Sequence, residues 1–147
     1  MLQQLVRESI EPPVPGAWQR CLTLVRVDPA RFLPRLLTAP VHGRARSATQ
    51  WLEEFRLTGV VNASMFQDNG RSVGLMVDGR AVNNGADNPA FGGFLAFDPV
   101  SSSRPHAPAR PRVAMFGRDC PGFDLASIRR DYRVVVQNYR LLDCDGR

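Results

Sequence analysis

The stretch that most constrains this chain runs from Gly59 to Asn83, Gly59-Val-Val-Asn-Ala-Ser-Met-Phe-Gln-Asp-Asn-Gly-Arg-Ser-Val-Gly-Leu-Met-Val-Asp-Gly-Arg-Ala-Val-Asn83. It reads as a short buried strand, a polar loop and a hairpin. Val60 and Val61 are β-branched and apolar, and the run turns polar at Asn62, where a buried strand would surface. Asp68-Asn69-Gly70 is a turn signal, because Asn and Gly tolerate positive φ. Ser72–Val77 and Arg80–Asn83 flank Asp78-Gly79, a favoured pair for a two-residue hairpin turn. The carboxamide of Asn62 is therefore expected at the mouth of a strand, with Asp68, Asn69 and Arg71 just beyond. That placement suits a binding site, and it equally suits a hydrogen-bonded structural corner.

The flanking segments predict an α+β fold with a mixed, mainly antiparallel sheet and a few helices. Residues 1–17 read as a short amphipathic helix (2–10, with Leu2, Leu5 and Val6 on one face) and a Pro-rich linker. Residues 18–147 read as the domain, opening with an apolar strand from Trp18 to Val27. Asp28-Pro29 is a turn, Phe32–Leu37 a brief helix or strand, and Pro40–Arg46 a loop in which His42 has no catalytic role. Ser47 and Gln50 fit a capping box for a helix from Ser47 to Leu57, with Trp51 on its core face and Gly59 as its stop. Phe91–Phe97 is a strand whose glycine pair permits a bulge or the close approach of another backbone or a ligand. Residues 100–112 form a Pro/Ser/Arg loop, Val113–Phe116 another strand, and Asp124 caps a helix to Asp131. Tyr132–Cys144 is a long strand whose apolar run passes into Gln137, Asn138 and Arg140, repeating the strand-then-amide pattern of Asn62. Asp145-Gly146 then signals a turn without a return strand, so the domain is expected to be incomplete at its C-terminus. The last strand is expected to be unpaired and available for a homodimer.

Charge excludes little but narrows the partners. The chain of 147 residues carries a net charge of +5, and all 19 basic residues are arginine. They are scattered, the nearest cluster being Arg104, Arg110 and Arg112, with no aromatic-interleaved basic stripe, so no nucleic-acid partner is expected. No apolar run approaches the roughly 20 residues of a transmembrane helix. The N-terminus shows no basic region followed by an apolar one. Cys21, Cys120 and Cys144 are far apart, without a paired-cysteine motif or a histidine at ligand spacing, so no metal site is expected. Three buried thiols are the expected state, with a disulfide between two of them as the alternative.

Val61-Asn-Ala-Ser-Met-Phe66, then Gly70, then Gly74-Leu-Met-Val-Asp-Gly79 resembles the Asn-Ala-Gly-Met-Phe…Gly-Leu…Gly signature of the phosphodiester glycosidase family. The Trp18–Asp28 strand and Gln137-x-x-Arg140-Leu-Leu are also similar to its bacterial members. The resemblance runs from Trp18 to the end. It implies a hydrolase that cleaves the glycosidic bond of a sugar phosphodiester, with a glycan or cell-envelope substrate, an extracytoplasmic location and no cofactor. Two departures stand out. Ser64 replaces a glycine, which would narrow the pocket floor or do nothing, and the family's later acidic Gly-Gly motif has no counterpart here. The chemistry needs an arginine for phosphate, amides for sugar hydroxyls, and a carboxylate for water or the oxocarbenium-like centre. Arg140 is the phosphate candidate, with Asn62, Gln137 and Arg71 as substrate ligands and Asp68 and Asp119 as catalytic carboxylates. The plainer readings are an Arg140–Asp143 pair, a turn role for Asp68 and likewise for Asp119. The competing functions are a non-catalytic glycan- or peptidoglycan-binding envelope module and an inactive fragment.

Overall fold

The computed structural model describes residues 6–10, 22–79, 81–101 and 109–146, with residues 6–10 and 22–24 described by their backbone alone. The chain divides into two compact units, Met1–Pro34 and Arg35–Arg147. In the first, β1 (Val6–Ile10) and β2 (Leu22–Arg26) pair antiparallel from Val6 opposite Arg26 to Ile10 opposite Leu22. The helix expected over residues 2–10 is thus a strand where it is described. An uncapped segment shorter than about 12 residues holds a helix poorly in water, and a pairing partner decides the outcome. The expected strand start at Trp18 lies outside the described residues. Asp28 turns the chain as expected, its Oδ1 accepting from Ala30 N at 2.9 Å.

The second unit contains α1 (Ala39–His42), α2 (Ala48–Glu54), β3 (Met76–Asp78), β4 (Ala81–Asn84), β5 (Gly93–Pro99), β6 (Val113–Gly117), α3 (Leu125–Asp131) and β7 (Tyr132–Asn138). The five strands form one sheet in the order β4-β3-β7-β5-β6, every neighbouring pair antiparallel. With its helices, this is an α+β fold. β7 sits at the centre because Val134-Val135-Val136 is apolar on both faces, the pattern of a strand covered on both sides. It pairs with β3 and β5, so it is not the unpaired edge expected of it, and it stops at Asn138 rather than Cys144. The edges are β4 and β6, which removes the basis for a homodimer through the last strand.

Side-chain alternation divides the core between the two faces of the sheet. Leu75, Val77, Phe94, Ala96 and Val135 point to one face and pack with Ile128 of α3 and Tyr132, joined by Phe116, Phe123 and Leu125. Met76, Phe97, Val134 and Val136 point to the other, under Leu36 and Ala63. At fully buried positions such as Leu75 and Val135, burial of each side chain stabilises by about 1.5–3 kcal/mol.

Val60 and Val61 form no strand, and Val61 is 87% exposed, because no strand among the described residues offers them a ladder. The hairpin turn falls later than Asp78-Gly79: Asp78 is still in the ladder, opposite Ala81, and Gly79 follows it at φ 56°. Pro40 lies in the first turn of α1, inside the expected loop, and Gly43 caps that helix at φ 83°. Phe32–Leu37 is neither helix nor strand. The Ser47–Gln50 capping box is present on α2, but the helix ends at Glu54 and Arg56, not Gly59, takes the left-handed position at φ 50°. The Leu57 N–H then closes onto Leu52 O at 2.9 Å, as in a Schellman stop. Trp51 is half-buried, not core: it packs with Phe55 and His42, under the Arg46 guanidinium 4.6 Å from its ring. Asp124 caps α3 as expected, accepting from Ala126 N at 3.1 Å.

Candidate functional site

Antiparallel order brings five strand ends together on one edge: the starts of β3 and β5 and the ends of β4, β6 and β7. Met76 pairs with Asn84 and Val136, while Gly93 pairs with Asn138 and Gly117. The connecting segments at this end carry most of the polar residues singled out above.

At its centre is Gln137, wholly buried. Its Oε1 accepts from the backbone N–H of Leu75 and of Asn88, both at 3.0 Å. Its Nε2 faces three acceptors: Asp87 Oδ1 at 2.7 Å, Asn88 O at 2.7 Å and Phe91 O at 2.8 Å. One amide therefore ties β7 to the start of β3 and to the 84–91 loop. Gly74 makes room for it, since a Cβ there would lie 3.1 Å from Oε1 and 2.8 Å from Phe91 Cδ2. Gly93 serves a similar end, because a Cβ would lie 2.9 Å from the Tyr139 carbonyl oxygen. The close approach expected of the glycine pair is made at Gly93, to the chain's own backbone.

A second layer of polar contacts holds the Met65–Val73 hairpin, whose tip is the Gln67–Gly70 turn. Ser64 Oγ donates to Gln137 O at 3.0 Å, and Ser72 Oγ donates to Ser64 Oγ at 3.3 Å. Ser64 is thus a buried link in the scaffold and forms no exposed pocket floor. Asn83 accepts from Ser72 N at 2.6 Å, and Asn84 donates to Ser72 O at 2.8 Å. Arg71 reaches back to Asn84 Oδ1 at 3.1 Å. Asp68 is exposed in the hairpin turn, and Asn62 is exposed ahead of it.

On the other side of Gln137, the Arg118 guanidinium pairs with Asp87 and lies 5.4 Å from the Phe94 ring centroid and 5.9 Å from that of Phe123. The Arg118 hydrogen bond, then the Gln137 amide and the Arg118 charge, hold the Asp87 carboxyl below its ordinary pKa against the opposing effect of burial. Arg118 Nε is buried with no partner among the described residues. Asp119 follows, exposed in the turn after β6. Cys120 of that turn is disulfide-bonded to Cys144, which corrects the expected three free thiols for that pair; Cys21 lies outside the described residues. The chain reversal after β7 brings the two cysteines within reach, a proximity that spacing alone conceals. Arg140 lies over this bridge, its Nη1 3.3 Å from Cys120 Sγ and 3.7 Å from Cys144 Sγ.

The chain matches no protein-family model, no curated protein and no solved structure. The site rests on its geometry alone.

Of the sequence candidates, Arg71, Gln137, Arg140 and Asp119 belong to this end of the sheet, while Asn62 and Asp68 lie exposed around the hairpin that borders it. Gln137 is engaged throughout by the chain's own groups, so its part is to hold the loops. Asp87, Arg118, Asn84 and Asn88 were not singled out from sequence. Their signal was the density of Asx residues in 83–88: Asn84 and Asn88 each accept from the N–H two residues on, at 3.0 Å. Among the described residues no three His, Cys, Asp or Glu gather as metal ligands, and no helix is long and apolar enough to cross a membrane. A cleft of about 230 Å³ lies at the opposite end of the sheet, lined by Val77, Gly79, Val82, Val100, Arg129, Tyr132 and Arg133. It contains none of the candidate residues, and its Arg133 is solvated and only loosely paired with Asp98, at 3.8 Å.

Proposed function

We propose that the polar end of the sheet is a sugar-phosphodiester site and that the chain serves a hydrolase cleaving the glycosidic bond to phosphate. The observation that carries this reading is the placement of Arg71, Arg118 and Arg140, with Asp87 and Asp119, on the segments that connect five strand ends at one end of the sheet. Guanidinium groups offer the planar fork that phosphate oxygens accept from. A phosphomonoester is a good leaving group and needs little proton donation, so an acid of raised pKa is dispensable. Arg140 would hold the phosphate, Arg118 would fix Asp87 and its loop, Asn62 and Arg71 would contact sugar hydroxyls, and Asp119 or Asp68 would serve the water or the cationic centre. Gln137 would act through the loops it holds. The disulfide supports an oxidising, extracytoplasmic setting.

One observation favours a second reading, a non-catalytic module that binds glycan with the same surface. Asp87 is committed to Arg118, and Asp68 and Asp119 are exposed, without the enclosing contacts that would position a catalytic carboxylate. Hydrolysis of a chromogenic sugar phosphodiester by the purified chain separates the two. Turnover lost in Arg140→Ala and Asp119→Asn supports the hydrolase. Saccharide-phosphate binding without turnover supports the module, and absence of both overturns each reading.

A further inference from the structure

We infer that Cys120–Cys144 is a reversible thiol–disulfide exchange site rather than a purely structural cross-link. This does not rest on the hydrolase reading. Two features of the bridge converge. Cys144 is exposed and Cys120 half-buried, so an external thiolate reaches the Cys144 sulfur more readily. Arg140 places its guanidinium against both sulfurs and nearer to Cys120, at 3.3 Å against 3.7 Å. Acids stand beside both cysteines in sequence, Asp143 and Asp145 at Cys144 and Asp119 at Cys120, so the asymmetry comes from Arg140. Arg140, nearer to Cys120 Sγ, stabilises the negative charge that develops there, so Cys120 is the better leaving group.

The exchange then runs in one direction around the bridge. A thiolate of a small dithiol attacks Cys144 Sγ, forming a mixed disulfide, and the Cys120–Cys144 bond breaks with its electron pair leaving on Cys120 Sγ beside Arg140. The second thiolate of the dithiol attacks the sulfur of its own molecule, and Cys144 departs. Two electrons and two protons pass to the protein, and the dithiol becomes a cyclic disulfide. Stabilising the charge that develops on the leaving sulfur speeds this step. Reduction uncouples the segment after β7 from the turn that carries Arg118 and Asp119, so redox state reaches the polar end of the sheet. Gly117 belongs to the same device: a Cβ there would lie 2.5 Å from Cys120 Sγ and 3.1 Å from Arg140 Nη1.

The test is the rate of reduction of the folded chain by dithiothreitol, followed by alkylation and mass measurement, for wild type, Arg140→Gln and Arg140→Lys. Wild type is expected to react about three- to tenfold faster than Arg140→Gln, the effect of one partly solvated charge on a thiol, with Arg140→Lys in between. Mixed disulfide trapped with glutathione should sit on Cys144. Equal rates in wild type and Arg140→Gln, trapping on Cys120, or reduction only at denaturant concentrations that unfold the chain would each overturn the proposal. Circular dichroism of each variant verifies that the rates refer to folded protein.

Discussion

Replacing Gln137 with leucine tests the architecture at its most loaded point. The substitution keeps the approximate volume and removes one amide that serves five partners. Asn88 O retains the Phe91 N–H at 3.0 Å, Phe91 O retains a long Arg118 contact at 3.5 Å, and Asp87 retains its ion pair with Arg118. The Leu75 and Asn88 N–H groups lose their acceptor, and Leu75 is wholly buried. An orphaned buried polar group costs about 1–3 kcal/mol, so two of them place the loss at about 2–6 kcal/mol. That is a large part of the roughly 5–15 kcal/mol that holds a domain folded. Gln137→Glu should be no better, because its second oxygen would face the Asp87 carboxylate and two carbonyls. Urea unfolding followed by circular dichroism, with the slope unchanged, measures the loss. Amide hydrogen exchange should show it first at Leu75 and Asn88. A Gln137→Leu protein within 1 kcal/mol of wild type would refute the claim that this amide organises the site.

Removing the disulfide with Cys120→Ser and Cys144→Ser together should lower stability by about 3.5 kcal/mol, from closing a loop of 24-residue separation, as read by the urea midpoint. Gly93→Ala should cost about 1–3 kcal/mol in the same assay, because the atoms it meets are the Tyr139 and Arg140 backbone, which cannot swing aside. Arg56→Gly should raise stability by up to about 1 kcal/mol, relieving a left-handed residue at the end of α2. Asp87 has a folded-state pKa below its unfolded value, so its contribution is fully present above about pH 4 and is lost as pH falls through the folded value. The stability gap between wild type and Asp87→Asn should therefore be constant near neutrality and close below pH 4, and a gap that widened in acid would contradict the assignment.

Legibility from sequence followed the reach of the interactions. The Ser47–Gln50 cap and the Asp124 cap were readable because their partners lie three and two residues away. The β5 and β6 strands were readable from their apolar runs. The polar surfacing of β7 at Gln137 was visible as a strand passing into an amide, but its meaning was not. Its contacts span 46 to 62 residues, and no local pattern distinguishes a ligand-facing amide from one consumed by the fold. Val60 and Val61 misled for a related reason: β propensity expresses a strand only where a neighbour is present to pair with it. The Cys120–Cys144 bridge and the place of Arg140 over it arise from the chain reversal after Asn138, which composition and spacing leave open. The end of α2 shows the opposite case, where a glycine signal at Gly59 was available and Arg56 took the left-handed position instead.

The most direct test of the central claim is to titrate the isotopically labelled chain with a non-hydrolysable sugar phosphodiester and map amide chemical shifts. Saturable changes are expected, confined to the Asn62–Ser72, Asn84–Asn88, Gly117–Cys120 and Tyr139–Arg140 segments and lost in Arg140→Gln. Changes centred on Gly79, Val82, Val100 and Arg129 at the opposite end of the sheet, or none at all, would contradict that claim.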